Sequence, residues 1–154
     1  MPSIFFEDFI DAEVKTFGSH QVTAEEIIDF ARQFDPQPMH LDPAAGAASL
    51  LGSLAASGWH TIAITMRLIC DGFLLRAASL GSPGVLENRW PNPVLPGDVL
   101  TLRRTVLESR TSKSRPERGF VTFRFELVKA DGSLALDQVC VIMFGRRNPG
   151  ARLA

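Results

Sequence analysis

A carboxylate and an imidazole stand five positions apart in the segment 34–42, at Asp35 and His40. His titrates near neutral pH, and a neighbouring Asp can orient its ring or share in proton transfer, so the pair suits general acid–base chemistry. The spacing alone slightly favours another interpretation, a proline-rich turn in which Asp35 is a cap and His40 lies on the surface.

Two prolines define the backbone between these side chains. Pro36 and Pro38 end the helical pattern that precedes them, and they bias Asp35 and Gln37 away from helical geometry. We therefore expect a stiff, extended segment that carries both candidate groups.

A capped helix should position Asp35. Thr23 is a fitting N-cap, and an apolar stripe follows at helical spacing, formed by Ile27, Phe30, Ala31 and Phe34. Asp35 therefore comes directly after a packed helix. Beyond His40, Asp42-Pro43 reads as the N-cap and first residue of a short helix that runs to about Ser49.

The remaining elements predict one sheet around a buried helix. Residues 60–78 are apolar on most faces, which is typical of an enclosed helix. Strands are predicted at residues 14–20, 84–92, 99–108, 121–127 and 134–145. We expect the last four strands to form an antiparallel meander, with a turn at 93–98, and the whole to be an α+β fold.

Composition indicates one domain. The chain has 154 residues, of which 45% are hydrophobic and 21% charged, and its net charge of −1 gives no drive towards nucleic acid or a membrane. Cys70 and Cys140 lack metal-site spacing and favour free thiols in a reducing compartment. With no secretory signal pattern, a cytoplasmic protein is expected. We predict a domain at 1–147 and a frayed tail at 148–154.

A basic block lies at residues 110–118. Such a block is usually a solvated loop. The minority interpretation is a site for the phosphates of a ligand.

Four segments, in order, resemble the MaoC-like dehydratases, the R-specific enoyl-CoA hydratase group. Asp35-Pro-Gln-Pro-Met-His40-Leu-Asp42 resembles the family's Asp-x-Asn-Pro-x-His-x-Asp signature. Ala56-Ser57-Gly58-Trp59 is similar to its His-Gly-Met segment, and residues 93–98 are similar to its Pro-Val-x-x-Gly-Asp turn. Phe6-Glu7-Asp8-Phe9 is similar to a common opening. Together the four segments are spread over most of the chain.

The resemblance implies a hot-dog fold, with an antiparallel sheet wrapped around a long central helix, and hydration of a 2-enoyl thioester or its reversal. It implies that Asp35 and His40 hold the attacking water, and that the N–H of Gly58 or Trp59 binds the thioester oxygen. Trp90 is a candidate for lining an acyl tunnel or for the core.

The resemblance also implies the partners. Coenzyme A enters as part of the substrate, with acyl carrier protein as the less favoured carrier, and neither a metal nor a redox cofactor is needed. A homodimer or a larger assembly of dimers is expected.

Three positions depart from the family's motifs. Gln37 stands where the family has Asn, Ser57 stands for its His, and Trp59 stands for its Met. Ser57 can still cap the following helix. The shape of the substrate pocket is therefore open.

Two other functions are weighed against hydration. A hot-dog thioesterase usually presents a carboxylate on the central helix, and residues 60–78 offer only Asp71. A non-catalytic acyl-CoA-binding or assembly subunit would not need both Asp35 and His40.

Overall fold

The computed structural model describes residues 1–149, so most of the predicted tail at 148–154 lies outside the described residues. The helices are α1 (Ala24–Phe34), α2 (Pro38–Leu41), α3 (Pro43–Ala48) and α4 (Gly58–Gly72). The strands are β1 (Val14–Gln21), β2 (Ser79–Arg89), β3 (Val99–Thr111), β4 (Arg118–Lys129) and β5 (Leu134–Gly145). In this part of the chain, no helix combines the length and the hydropathy needed to cross a membrane.

The five strands form one antiparallel sheet in the order β1-β3-β4-β5-β2. The predicted α+β class is therefore confirmed. The predicted four-stranded meander is wrong at one strand, because β2 pairs with β5 at the far edge and not with β3. The link between β2 and β3, residues 90–98, contains three prolines and is too long for a tight hairpin.

The core lies between α4 and the inner face of the sheet. The alternation predicted for residues 121–127 is confirmed, because Val121, Phe123, Phe125 and Leu127 are all fully buried. From α4, Ile64, Leu68 and Ile69 pack into the same cluster. One side of α4 is open, since Met66 is 45% exposed.

The central helix is shorter than the predicted span 60–78. It ends at Gly72, where a side chain would collide with Phe17, since an added Cβ would lie 2.8–3.0 Å from that ring. The chain then makes a 3-10 turn at Leu74–Arg76 before β2.

The segment after α1 is only partly extended. Asp35 and Gln37, which precede the prolines, both lie outside helical geometry, as their position predicts, but only Gln37 is extended: ψ is 69° at Asp35 and 142° at Gln37. Pro38 then begins a helical turn, because proline is favoured at the first helical position. This turn, α2, directs His40 inwards, so the prediction of a fully extended segment is wrong.

The turn at 93–98 connects the start of α1 to the start of α4. Gly97 has a φ of 90°, which glycine adopts without strain, and its N–H donates to the Val22 carbonyl at 2.7 Å. Val94 accepts a hydrogen bond from the Ala56 N–H at 2.8 Å, just before α4. The two helices that carry the candidate site are thus held by one turn.

Gly46 of α3 packs against the loop that leads to α4. A Cβ at Gly46 would lie 2.5–2.6 Å from backbone atoms of Ser53 and Leu54, which cannot rotate away. We expect Gly46→Ala to lower the free energy of unfolding by about 1–3 kcal/mol through overpacking, although alanine is the better helix former.

Thermal or urea denaturation measures this loss. The matched control is Ala47→Ser, an exposed position of the same helix, where little change is expected. A Gly46→Ala variant as stable as the parent would contradict the close packing.

Candidate active site

Three consecutive residues before α4 each bind a different part of the site. The carbonyl of Ala55 lies 2.6 Å from Nδ1 of His40. The N–H of Ala56 donates to Val94 at 2.8 Å, and the hydroxyl of Ser57 donates to Oδ2 of Asp35 at 2.6 Å. This segment therefore fixes both candidate groups and the turn at 93–98 at once.

The orientation of His40 follows from its bond to Ala55. A carbonyl only accepts hydrogen bonds, so Nδ1 carries the proton and the Nε2 of the neutral ring is an acceptor. Nε2 lies 3.6 Å from Oδ2 of Asp35, which is longer than a direct hydrogen bond. One water molecule beside them can therefore be held by both groups. His40 is 6% exposed, so the alternative that placed it on the surface is wrong.

Asp35 has a donor on each carboxylate oxygen. Ser57 donates to Oδ2, and Nε2 of Gln37 donates to Oδ1 at 2.7 Å. The hydrogen bond from Ser57 lowers the pKa of Asp35 most, and the one from Gln37 lowers it further. Desolvation opposes them, and the electrostatic interaction with His40 adds to them. The carboxylate is therefore ionised at neutral pH and acts as an acceptor.

The first turn of α4 leaves the Gly58 N–H free beside this pair. Ser57 is the N-cap, and its side-chain oxygen accepts the Trp59 N–H at 3.2 Å. The N–H of Gly58 makes no hydrogen bond within residues 1–149. Of the two donors considered from the sequence, Gly58 is thus available, and a helix N-terminus favours negative charge there.

A cavity of about 790 Å³ opens in front of these groups. Its lining combines a few polar side chains with many apolar ones: Asp35, Gln37, Met39, His40, Ser49, Leu50, Leu51, Ala56, Gly58, Trp59, Thr61, Trp90, Pro91, Asn92, Pro93 and Val94. No Lys or Arg is among these described residues. Residues 1–149 also contain no group of three or more His, Cys, Asp or Glu side chains placed to ligate a metal ion.

The two tryptophans meet at one wall of the cavity. Trp59 and Trp90 are in edge-to-face contact, with ring centroids 6.1 Å apart, and are 63% and 46% exposed. Nε1 of Trp90 donates to the Gly58 carbonyl at 3.0 Å. Trp90 therefore lies at the cavity wall and supports the start of α4 rather than belonging to the core.

Comparison with known proteins identifies the family of this chain. The model of the MaoC-like domain matches residues 5–124. The chain belongs to the MaoC-like domain family. A MaoC-like dehydratase from Rhodospirillum rubrum is 42% identical in sequence and superposes with a TM-score of 0.88 over 95% of this chain and 99% of that one.

Two further relatives extend the comparison. An R-hydratase from Pseudomonas aeruginosa is 21% identical, with a TM-score of 0.73 over 98% of this chain and 94% of that chain, which confirms the hot-dog fold. The uncharacterized protein YdeM of Bacillus subtilis is 30% identical over 117 residues, which are 75% of this chain and 81% of its own.

The other histidines of this MaoC-like protein lie outside the cavity lining. His60 is buried, stacks on Phe30 with centroids 4.7 Å apart, and lies 3.7 Å from Glu26. Burial is the main cause that lowers the pKa of His60. His20 binds the same Glu26 at 2.8 Å. His20, Glu26 and His60 therefore connect β1, α1 and α4.

The basic block lies away from the cavity. Its central part connects the end of β3 to β4, whereas the turn at 93–98 precedes the start of β3. β3 is 13 residues long, which corresponds to about 40 Å of strand. Arg118 pairs with Glu117 at 3.1 Å, and Arg110 lies over the ring of Phe120. Within this chain, the structure does not support the phosphate-site interpretation.

Several cavity residues could not be chosen from the sequence. Leu50 and Leu51 lie in a loop without a motif, and the part played by Ala55 uses only its backbone carbonyl. Pro93 and Val94 had a signal, because they belong to the recognised turn at 93–98.

Gly58 is expected to tolerate a side chain only if Trp90 is made smaller. An added Cβ would lie 2.8 Å from the indole ring, so we expect Gly58→Ala to destabilise the protein by about 1–3 kcal/mol. Combination with Trp90→Phe should recover most of that loss, because the smaller ring leaves room for the methyl group.

Calorimetric unfolding of the two single variants and the double variant measures the coupling. Trp90→Phe alone serves as the control for loss of the hydrogen bond to the Gly58 carbonyl. Additive effects of the two substitutions would contradict the contact.

Proposed function

We propose that this protein is an (R)-specific enoyl-CoA hydratase, which also acts as a 3-hydroxyacyl-CoA dehydratase in reverse. The observation that supports this most is the arrangement of three groups at one cavity wall: ionised Asp35, Nε2 of His40 and the unbonded N–H of Gly58. Hydration of an enoyl thioester requires an acceptor that orients the water, a group that takes up and returns a proton, and a donor that binds the thioester oxygen.

In the proposed reaction, a water molecule is held between Asp35 and His40. Nε2 of His40 accepts a proton from the water while the hydroxide adds to C3 of the enoyl group. Negative charge then develops on the thioester oxygen, where the Gly58 N–H stabilises it. The imidazolium returns the proton to C2, which completes the addition of water. Asp35 orients the water and stabilises the imidazolium.

The lining of the cavity favours an uncharged acyl group. It is mainly apolar, with the two tryptophans at one side and no Lys or Arg among its described residues. A second carboxylate on the acyl chain would therefore be buried without a partner. This makes a dicarboxylic enoyl thioester the weaker choice. We propose coenzyme A as the carrier.

We also propose that the protein forms a homodimer in the cytoplasm through the edge of its sheet. β2 is an edge strand, and its Leu80, Val85 and Leu86 are 49%, 55% and 67% exposed. Exposed apolar side chains on an edge strand favour pairing with another chain. A second copy would also cover the open side of α4 near Met66.

The dimer is tested by placing charge on the edge strand. We expect Leu80→Lys combined with Leu86→Lys to shift the protein to monomer, because like charges would then face each other across the paired edges. Sedimentation velocity measures the change. Ile10→Lys, at another exposed apolar residue, is the control and should leave the assembly unchanged. A parent protein that is monomeric at all concentrations would contradict the proposal.

The activity is tested with crotonyl-CoA, by following the loss of enoyl absorbance and the release of free thiol in parallel. Loss of enoyl absorbance without thiol release, with the (R)-3-hydroxyacyl product identified by chiral chromatography, is the expected result. Thiol release instead would indicate a thioesterase. Binding without either signal across an acyl series would indicate an acyl-CoA-binding subunit.

The geometry gives the thioesterase less support. The carboxylate on α4, Asp71, lies in the last turn of the helix and pairs with Arg67 at 2.7 Å. It is therefore far from the helix N-terminus where a thioester carbonyl would bind.

Asp35→Asn and His40→Ala are each expected to lower the hydration rate by at least about a hundredfold, because each removes one member of the acid–base pair. Turnover with crotonyl-CoA is measured alongside circular dichroism and sedimentation, which should be unchanged.

The matched controls are Asp42→Asn and His20→Ala. Asp42 caps α3 through the Ala45 N–H, which Asn can also do, and His20 contacts Glu26 outside the cavity lining. Near-normal hydration by either site variant would exclude the assigned pair.

A further inference from the structure

Two of the departures from the family's motifs converge on one carboxylate. Gln37 and Ser57 are 20 positions apart in the chain. In the structure, Gln37 donates to Oδ1 of Asp35 at 2.7 Å and Ser57 donates to Oδ2 at 2.6 Å. The two replacements thus bind the two oxygens of a single side chain.

We propose that Ser57 and Gln37 are positioning residues that together hold Asp35 in one orientation relative to the free N–H of Gly58. This inference rests on the proposed hydration, because it concerns how the water-binding carboxylate is placed. Neither residue is proposed to react with the substrate.

Ser57 does more than an N-cap requires. A cap needs only an acceptor, and the Ser57 oxygen supplies it to the Trp59 N–H at 3.2 Å. Its hydroxyl hydrogen is used separately, on Asp35, which lies 22 residues away at the end of α1. Ser57 is fully buried, so this hydrogen cannot turn to solvent instead.

The same hydroxyl also occupies one N–H of the helix start. Because the Ser57 oxygen accepts from the Trp59 N–H, Gly58 and not Trp59 offers a free donor next to Asp35. One side chain therefore connects the carboxylate that binds water to the helix end that would bind the thioester oxygen. Its two hydrogen bonds fix the distance between them.

Gln37 restrains the other oxygen. Each carboxylate oxygen has two lone pairs, so a hydrogen bond from Gln37 to Oδ1 and one from Ser57 to Oδ2 still leave Oδ2 able to accept from water. Rotation of the carboxylate would break both bonds. The longer side chain of Gln37, compared with Asn, reaches this oxygen from the N-cap of α2.

Both donors also bear on the ionisation of Asp35. They are the two largest causes that lower its pKa, so removal of either should raise it. The titratable group that faces Asp35 is His40 of α2, at 3.6 Å. On α1, Arg32 faces Asp29 instead, and on α4, His60 faces Glu26.

The first readout does not depend on turnover. A pH titration of the side-chain carboxyl carbons by ¹³C NMR, with Asp35 assigned from Asp35→Asn, gives the pKa of Asp35 in the parent and in Ser57→Ala, Ser57→Thr and Gln37→Met. We expect a higher pKa in Ser57→Ala and Gln37→Met, and a return towards the parent value in Ser57→Thr, which keeps the hydroxyl.

The second readout is the pH profile of crotonyl-CoA hydration. Asp35 must be ionised, so a higher pKa moves the acid limb of kcat/KM to higher pH in Ser57→Ala. We expect kcat to fall by more than about tenfold, with KM little changed, because the carboxylate is misplaced. A purely structural cap would lower stability without moving the acid limb.

Stability controls separate folding from positioning. Gln37 is exposed, so Gln37→Met should leave the fold intact. If Ser57→Ala does not fold, Ser57→Gly removes the hydroxyl while keeping an accepted N-cap residue. An Asp35 pKa that is unchanged in folded Ser57 and Gln37 variants overturns the proposal. A parent protein without hydratase activity would refute the proposed function, and the NMR titration would still decide the positioning.

Discussion

The site depends on the backbone of the segment 55–57 just before α4. Ala55 binds His40, Ala56 binds the turn at 93–98, and Ser57 binds Asp35. Because these residues are consecutive and lie against the core, they cannot move separately. The distance between the two candidate catalytic side chains is therefore set by a rigid backbone and not by their own flexible rotamers.

This backbone also makes the two groups chemically unequal. The carbonyl of Ala55 holds a proton on one nitrogen of His40 and leaves the other as an acceptor. The donors on Asp35 keep it ionised. One group can thus take up a proton while the other stays anionic beside it, which is the asymmetry that acid–base chemistry on a water molecule needs.

The start of α4 contributes a third element through the general properties of a helix. The first N–H groups of any helix lack partners within it, and capping decides which of them stays free. Here Ser57 takes the Trp59 N–H, and Trp90 packs on the opposite, carbonyl side of Gly58. The hot-dog fold places this helix end at the wall of a mostly apolar cavity, where hydrogen bonds are stronger than in water.

The sequence by itself determined the features that are local. Asp35 and His40 were chosen as candidates through the family's motifs, since their spacing alone slightly favoured a proline-rich turn. The cap at Thr23 and the alternation in β4 follow from neighbouring residues. The local rules did not predict the helical turn α2. Pro38 could either continue an extended segment or begin a helix, and it begins α2.

Only the tertiary structure decided the contacts between distant residues. Phe34 continues the apolar stripe of α1, yet at the end of that helix it is 68% exposed. β2 lies at the far edge of the sheet, which its own sequence does not specify. The hydrogen bond from Ser57 to Asp35 joins residues 22 positions apart. Such a bond depends on how α1 packs against α4, and hydrophobic burial sets that packing without regard to distance along the chain.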